Sequence, residues 1–161
     1  MFESTQKLGD DIGRVLAAIR AQAQGRYACL LEAKGILFED PEPEDRESWA
    51  LRRLLEERRT TLLAIPRGMA SGEPIEDVFA GWDHDELFLA VLNERVALVV
   101  ACPRAESLKE RALPPLKVLA DRLLRYDASY RMDSRGRGFF FGRPKLDLVV
   151  IGRAKTEGQA P

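Results

Sequence analysis

The sequence contains few of the residues that build metal centres, with one histidine and two cysteines in 161 residues. A structural zinc site needs four ligands at regular spacing, and the sequence has no such spacing. The one histidine, His84, lies between Asp83 and Asp85. An Asp-rich turn explains this stretch more simply than a metal site does. We therefore predict neither a metal nor another cofactor.

Catalytic motifs are also lacking. No serine lies in a Gly-x-Ser-x-Gly elbow, and no Gly-x-x-x-x-Gly-Lys phosphate loop occurs. The glycine-rich stretch 134–138 lacks the strand-then-helix context that would direct backbone N–H groups at a phosphate. Because no nucleophile and base stand at a recognisable spacing, we predict that the protein is not an enzyme.

The chain has neither a strong net charge nor a long apolar run. Its formal net charge is −1, so the overall field favours neither nucleic acid nor an anionic membrane. The absence of a run of about 18 apolar residues and of a signal peptide predicts a cytoplasmic protein with no membrane partner. Cys29 and Cys102 lie in apolar stretches, and we expect them to be reduced core residues rather than a disulfide.

The most apolar part of the chain extends from Glu86 to Cys102. Two apolar runs, Leu87–Leu92 and Val96–Cys102, flank three polar residues, which predicts two antiparallel strands joined by a tight turn. Near-continuous apolarity, rather than clean alternation, indicates strands that are covered on both faces. We expect several hairpin side chains to be fully buried, from the set Phe88, Val91, Val96, Leu98 and Val100.

A helix and a hairpin precede this region. Apolar residues at helical spacing from Leu8 to Ile19 predict an amphipathic first helix. Gly25 comes shortly after it and is a candidate C-terminal cap. Apolar runs at residues 27–32 and 36–39 surround a Lys-Gly turn, which predicts a first hairpin.

An acidic, proline-containing loop at residues 40–45 separates this hairpin from a second helix. Asp45 is a candidate N-cap for that helix, which we predict over residues 47–64. Pro66 then stops or kinks it. A short strand is predicted at 77–81.

After the central hairpin, helical spacing resumes and continues through Tyr126. Proline is well tolerated at the first helical position, so we expect the stronger part of this helix to begin at Pro115. We assign residues 1–126 to one α/β domain and residues 127–161 to a basic C-terminal extension.

The extension has its own composition. Between Arg131 and Lys155 it holds seven basic residues and two acidic ones. Phe139–Phe141 and Leu146–Ile151 predict a hairpin, and the last residues are expected to be disordered. Arginines interleaved with phenylalanines also resemble a surface for single-stranded nucleic acid. The packed hairpin is the favoured interpretation, so nucleic acid is not expected as a partner.

The predicted order of elements from residue 8 to residue 126 resembles the Roadblock/LC7 family of the longin- and profilin-like α/β group. The local likenesses are Ala28–Leu37, which matches the strand, Gly turn and strand of the family's opening, and Leu87–Val100. The resemblance implies an α+β fold with a central antiparallel sheet of about five strands and flanking helices. The C-terminal hairpin would be an addition to that fold.

The resemblance also implies a function. Family members are non-enzymatic dimeric adaptors whose sheets join through a central strand while their second helices pack together, and bacterial members bind Ras-like GTPases. Carried onto this chain, a homodimer would form through the second helix and the strand near 77–81, with a small GTPase or another protein as partner. The implied interface residues are Trp49, Leu51, Leu55, Arg58, Leu62, Val78 and Phe79.

A second function class remains open. Sensor domains of the GAF or PAS type have about this length and also place helices around an antiparallel sheet. Such a domain would need an internal pocket lined by a few polar groups. The apolar runs contain few polar residues, which favours the adaptor over the sensor.

Overall fold

The computed structural model describes residues 4–64, 86–92, 96–103, 108, 111, 113–133 and 147–151. The elements in chain order are α1 (Thr5–Gln22), β1 (Tyr27–Glu32), β2 (Gly35–Asp40), α2 (Arg46–Glu57), α3 (Arg59–Ala64), β3 (Glu86–Val91), β4 (Val96–Cys102), α4 (Leu113–Asp133) and β5 (Asp147–Ile151). None of the described helices combines the length and the apolarity that crossing a lipid bilayer requires.

The described strands form one antiparallel sheet in the order β2-β1-β4-β3-β5. The predicted central hairpin is confirmed, because β3 and β4 pair from Glu86 with Cys102 to Val91 with Ala97. The general class, helices flanking an antiparallel sheet, is also confirmed. The Roadblock/LC7 arrangement in particular stays a prediction.

Helices cover both faces of this sheet. Successive side chains of a strand point to opposite faces, so each central strand contributes to two layers. On one face, Leu30, Leu98 and Val100 pack in a cluster with the buried side chains of α1 and α4. On the other, Cys29, Leu31 and Val99 pack with the leucines of α2 and α3. Double coverage explains why the central strands are apolar without alternation, as predicted.

Burial of the hairpin agrees with the prediction. Phe88, Val96, Leu98 and Val100 are fully buried on the α1 and α4 face. The side chain of Val91 lies outside the described part of the structure. The two cysteines are free and buried. They lie in different clusters on opposite faces of the sheet, so the expectation of two core residues with no disulfide between them is confirmed.

The end of α1 differs from the expected glycine cap. Ala23 is the C-cap, and Gln24, with φ of 54°, takes the left-handed position. The N–H of Gln24 donates to the Ala21 carbonyl at 3.1 Å, and the N–H of Gly25 donates to the Arg20 carbonyl at 2.8 Å. This is the Schellman pattern with glutamine where glycine is usual. Gly25 has a different role, because a Cβ there would lie 3.0 Å from the Ala101 carbonyl oxygen.

The second helix is interrupted. We predicted one helix over residues 47–64, but α2 ends at Glu57 and α3 begins at Arg59. Arg58 is the C-cap of α2, and its N–H donates to the Leu54 carbonyl at 2.9 Å. The side chain of Arg59 donates to the carbonyls of Ala33 and Glu56 at 2.8 and 2.6 Å. These bonds attach the break to the turn between β1 and β2.

The predicted N-cap of α2 is confirmed. The Asp45 carboxylate accepts a hydrogen bond of 2.7 Å from the backbone N–H of Ser48. That bond holds the pKa of Asp45 below its usual range, since it favours the ionised form. A carboxylate at this position also interacts favourably with the helix dipole.

Asp45→Ala should therefore lower the melting temperature at neutral pH. A lowered pKa in the folded state means that the stabilisation is present above the unfolded pKa of about 4 and is lost as pH falls through the folded value. The difference in melting temperature from the unsubstituted protein should thus shrink in acid. Glu44→Ala, which removes the neighbouring exposed carboxylate, is the control and should change little. An Asp45→Ala deficit that persisted unchanged in strong acid would contradict the capping role.

Helix α4 begins two residues before the expected Pro115 and continues seven residues past Tyr126, to Asp133. Prolines 114 and 115 lie in its first turn, where their missing N–H groups cost no helical hydrogen bond. Leu116, Leu119 and Leu123 are fully buried toward α1 and the sheet. The helix therefore crosses the boundary that we drew between residues 126 and 127.

The extension contributes a strand to the sheet. The predicted strand at Leu146–Ile151 is present as β5, which pairs antiparallel with β3 along all five of its residues. The strand predicted at 77–81 and the one predicted at Phe139–Phe141 lie outside the described residues. In the described sheet, β5 occupies the position beyond β3.

Candidate functional site

The flank of α2 that faces β2 carries the most elaborate set of polar contacts among the described residues. Arg52 lies at its centre. Its Nε donates to Glu39 Oε1 at 2.7 Å, and its Nη1 donates to Glu56 Oε1 at 3.2 Å. Its guanidinium lies 5.7 Å from the ring centroid of Trp49, a cation–π distance. Arg52 thus connects the helix to the outer strand and orients the tryptophan.

A buried phenol extends this network into the sheet. The hydroxyl of Tyr27 donates to Glu39 Oε1 at 2.5 Å, so Glu39 accepts from both Tyr27 and Arg52. Burial raises the pKa of Tyr27, with smaller contributions from Cys29 and Glu39. The phenol therefore stays protonated and serves as a hydrogen-bond donor.

The neighbouring thiol is equally unsuited to chemistry. Cys29 is fully buried, and burial raises the pKa of its thiol well above the usual range. Thiolates attack electrophiles and bind metals, while neutral buried thiols are inert. Among the described residues no cluster of histidine, cysteine, aspartate and glutamate side chains could hold a metal ion.

The outward face of α2 presents an aromatic side chain between two arginines. Trp49 is 49% exposed, and Arg46 and Arg53, three residues before and four residues after it, are exposed as well. Residues at these spacings share one face of a helix. Most nearby arginines have carboxylate partners, such as Arg26 with Glu47 at 3.0 Å. Tryptophan and arginine are the residues most enriched in the energetic centres of protein interfaces.

The implied interface residues fall into three groups. Leu51, Leu55 and Leu62 are fully buried against the sheet of their own chain, so a partner does not reach them. These leucines are buried because the sheet is covered on both sides, and its second face needs a layer of apolar side chains packed against it. Trp49 and Arg58 lie at or near the surface, and Val78 and Phe79 lie outside the described residues. Among the implied interface residues that the structure describes, Trp49 and Arg58 are those whose side chains a partner can reach.

The structure does not describe the other candidate site residues that were taken from the sequence. His84, the glycine-rich stretch 134–138 and Phe139–Phe141 lie outside the described residues. The network of Tyr27, Glu39 and Arg52 was not anticipated, because its members are 12 and 13 residues apart in the chain. Each of these residue types is common, so no local pattern in the sequence marks the network.

Comparison of the chain with protein-family models, with curated proteins and with solved structures found no match. Function is therefore inferred from the geometry of α2 and β2 and from the order of elements.

Proposed function

We propose that the protein is a non-enzymatic dimeric platform that binds another protein, with a small Ras-like GTPase as the partner class. The observation that carries the proposal is the half-exposed Trp49, held by Arg52 and flanked by exposed arginines on the outward face of α2. The Roadblock/LC7 resemblance supplies the partner class.

The exposed face of α2 is complementary to itself. In order along the helix it carries Arg46, Trp49, Arg53 and Glu57. The outer two residues, Arg46 and Glu57, and the inner two, Trp49 and Arg53, are both centred near Leu51. An antiparallel second copy of the helix therefore places Arg46 opposite Glu57 and Trp49 opposite Arg53. The first pairing is ionic and the second is a cation–π contact. No hydrogen bond or ion pair inside the described part of the chain engages the side chains of Arg46, Arg53 or Glu57.

The helix itself is firmly placed, as an interface requires. Leu51 and Leu55 are fully buried beneath it, Asp45 caps its first turn, and Arg52 attaches its flank to β2. A preorganised helix loses little conformational entropy on association.

Trp49→Ala should weaken self-association about thirtyfold, as expected when a residue at an interface centre that contributes about 2 kcal/mol is truncated. Sedimentation equilibrium of the variant and of the unsubstituted protein gives this ratio. Val118→Ala is the matched control, because Val118 is 41% exposed on α4, away from this face. It should leave the dissociation constant unchanged.

The partner is tested separately. A small GTPase should be retained by the unsubstituted protein and by Val118→Ala in a pull-down from the source cell, and lost by Trp49→Ala. A dimer that retains no GTPase would remove the partner class from the proposal and leave the dimeric platform. If Trp49→Ala and Val118→Ala associated equally strongly, α2 would not be part of the dimer interface.

A further inference from the structure

We infer that the outer edge of β2 is the strand at which two copies join their sheets, with β2 of one copy antiparallel to β2 of the other. The inference rests on the proposed function, since it locates the strand seam of the proposed dimer. It differs from the seam that the resemblance implies, which would use the strand near 77–81. In the described sheet, β5 lies beyond β3, and β2 forms the opposite edge.

The charges of β2 do not guard that edge. Natural sheets usually protect an edge strand with charged side chains, proline or a bulge. Here both acidic residues are engaged by arginines of the same chain. Glu39 binds Arg52 on one face, and Asp40 binds Arg20 Nε at 2.6 Å on the other. The remaining side chains, Ile36, Leu37 and Phe38, are apolar and only half-buried.

A bulge remains in the strand and limits the pairing. Leu30 faces Phe38 and Leu31 faces Ile36, so Leu37 has no residue opposite it in β1. A bulge increases the local twist of a strand. It shortens the ladder that a second copy can form, so the strand contact adds to the helix contact and does not replace it.

Exposed side chains of opposite charge flank β2. Before the strand, Lys34 is exposed, although Glu32 and Glu56 also lie near this end. After it come Glu42 and Glu44, both exposed. An antiparallel second copy brings Lys34 of each β2 against Glu42 of the other, with the apolar residues between them. This complementarity selects a second copy of the chain as the occupant of the edge.

One twofold axis can serve both contacts. Helix α2 is antiparallel to β2, because Arg52 contacts Glu39 and the Glu56 carboxylate lies beside Gly35. The turn of α2 after Arg52 therefore lies next to the middle of β2. A twofold axis through the middle of β2 also brings the two α2 helices together in the antiparallel direction. In this arrangement the helices meet through the flank that carries Arg52 and Trp49, and not through the outward face with Arg46 and Glu57.

A pair of cysteines tests the arrangement. Lys34→Cys/Glu42→Cys, oxidised mildly in the full-length protein, should form a disulfide-linked dimer. Within one chain the two positions flank a six-residue strand about 20 Å long, beyond the Cα separation of about 7 Å that a disulfide tolerates. The native cysteines are fully buried. Each single variant is a control and should stay unlinked.

A charge at the edge gives a second, independent measurement. Leu37→Lys places like charges near the twofold axis and should weaken self-association up to about fivefold, whereas Val118→Lys on α4 should not. Melting temperatures verify that both variants are folded. The proposed β2 contact would be wrong if Leu37→Lys associated as strongly as the unsubstituted protein and the double-cysteine variant did not cross-link. A dimer formed through α2 alone would then remain. A monomeric unsubstituted protein would overturn both the edge and the proposed dimer.

Discussion

We expect Leu98→Ala to lower the free energy of unfolding by about 2–5 kcal/mol. Leu98 is fully buried in β4, between Leu30 of β1 and Ala90 of β3. It lies under α1 and α4, so truncation removes apolar contacts and leaves a cavity that packed elements on all sides cannot fill. Because domains are stable by only about 5–15 kcal/mol, this loss is a large fraction of the total. Denaturant unfolding with a linear extrapolation measures it.

Val118→Ala is the control for this measurement as well. Val118 is 41% exposed, and surface substitutions usually change stability by about 0.5 kcal/mol or less. A loss of that size for Leu98→Ala would mean that its side chain faces water. Since a one-residue slip in strand register exchanges the two faces, it would also contradict the pairing of β4 with both neighbours.

The central hairpin could be predicted because its sequence leaves one physical solution. Two apolar runs of strand length around a polar trio cannot be solvated, and their lack of alternation requires cover on both faces. The structure supplies that cover with α1 and α4 on one side and α2 and α3 on the other. The identity of the covering elements depends on contacts between distant parts of the chain, and no local pattern encodes it.

The leucine stripe of the second helix shows what could not be predicted from the sequence, namely which surface these leucines pack against. The helical spacing of Leu51, Leu55 and Leu62 was visible, but spacing alone does not distinguish a core layer from a dimer seam. The distinction comes from Cys29, Leu31 and Val99, whose side chains need cover on that face. Trp49, on the flank of the stripe, stays exposed, so the surface available to a partner differs from the stripe that suggested it.

The ends of helices were less predictable than their interiors. Glycine is the usual residue just after a helix, so Gly25 was the expected cap of α1. In the structure Gln24 takes the left-handed position instead, and Gly25 allows close approach to β4. The break at Arg58 likewise depends on bonds from Arg59 to the distant carbonyl of Ala33 as well as to its own helix. In both cases a tertiary contact determines which of two adjacent residues has which role.

Removal of β5 should have the other large effect. Ending the chain after Lys145 deletes the strand, while ending it after Gly152 keeps the strand and removes only residues 153–161. Each residue of β5 faces one residue of β3, from Asp147 opposite Val91 to Ile151 opposite Leu87. The shorter chain loses roughly five backbone hydrogen bonds worth about 0.5–1.5 kcal/mol each. We expect its melting temperature to fall by about 10 °C, given about 2–4 °C per kcal/mol for a chain of this size.

The same deletion should also change the state of association. Without β5, the edge of β3 presents unpaired backbone groups beside the fully buried residues Leu87 and Leu89, and such an edge invites pairing with other chains. The chain that ends after Lys145 should therefore aggregate or form new oligomers, and the chain that ends after Gly152 should not. Scanning calorimetry and light scattering on the two proteins separate these outcomes. If both kept the same melting temperature and mass, the β3–β5 ladder would be contradicted, and the basic extension would again be interpreted as a separate arm for single-stranded nucleic acid.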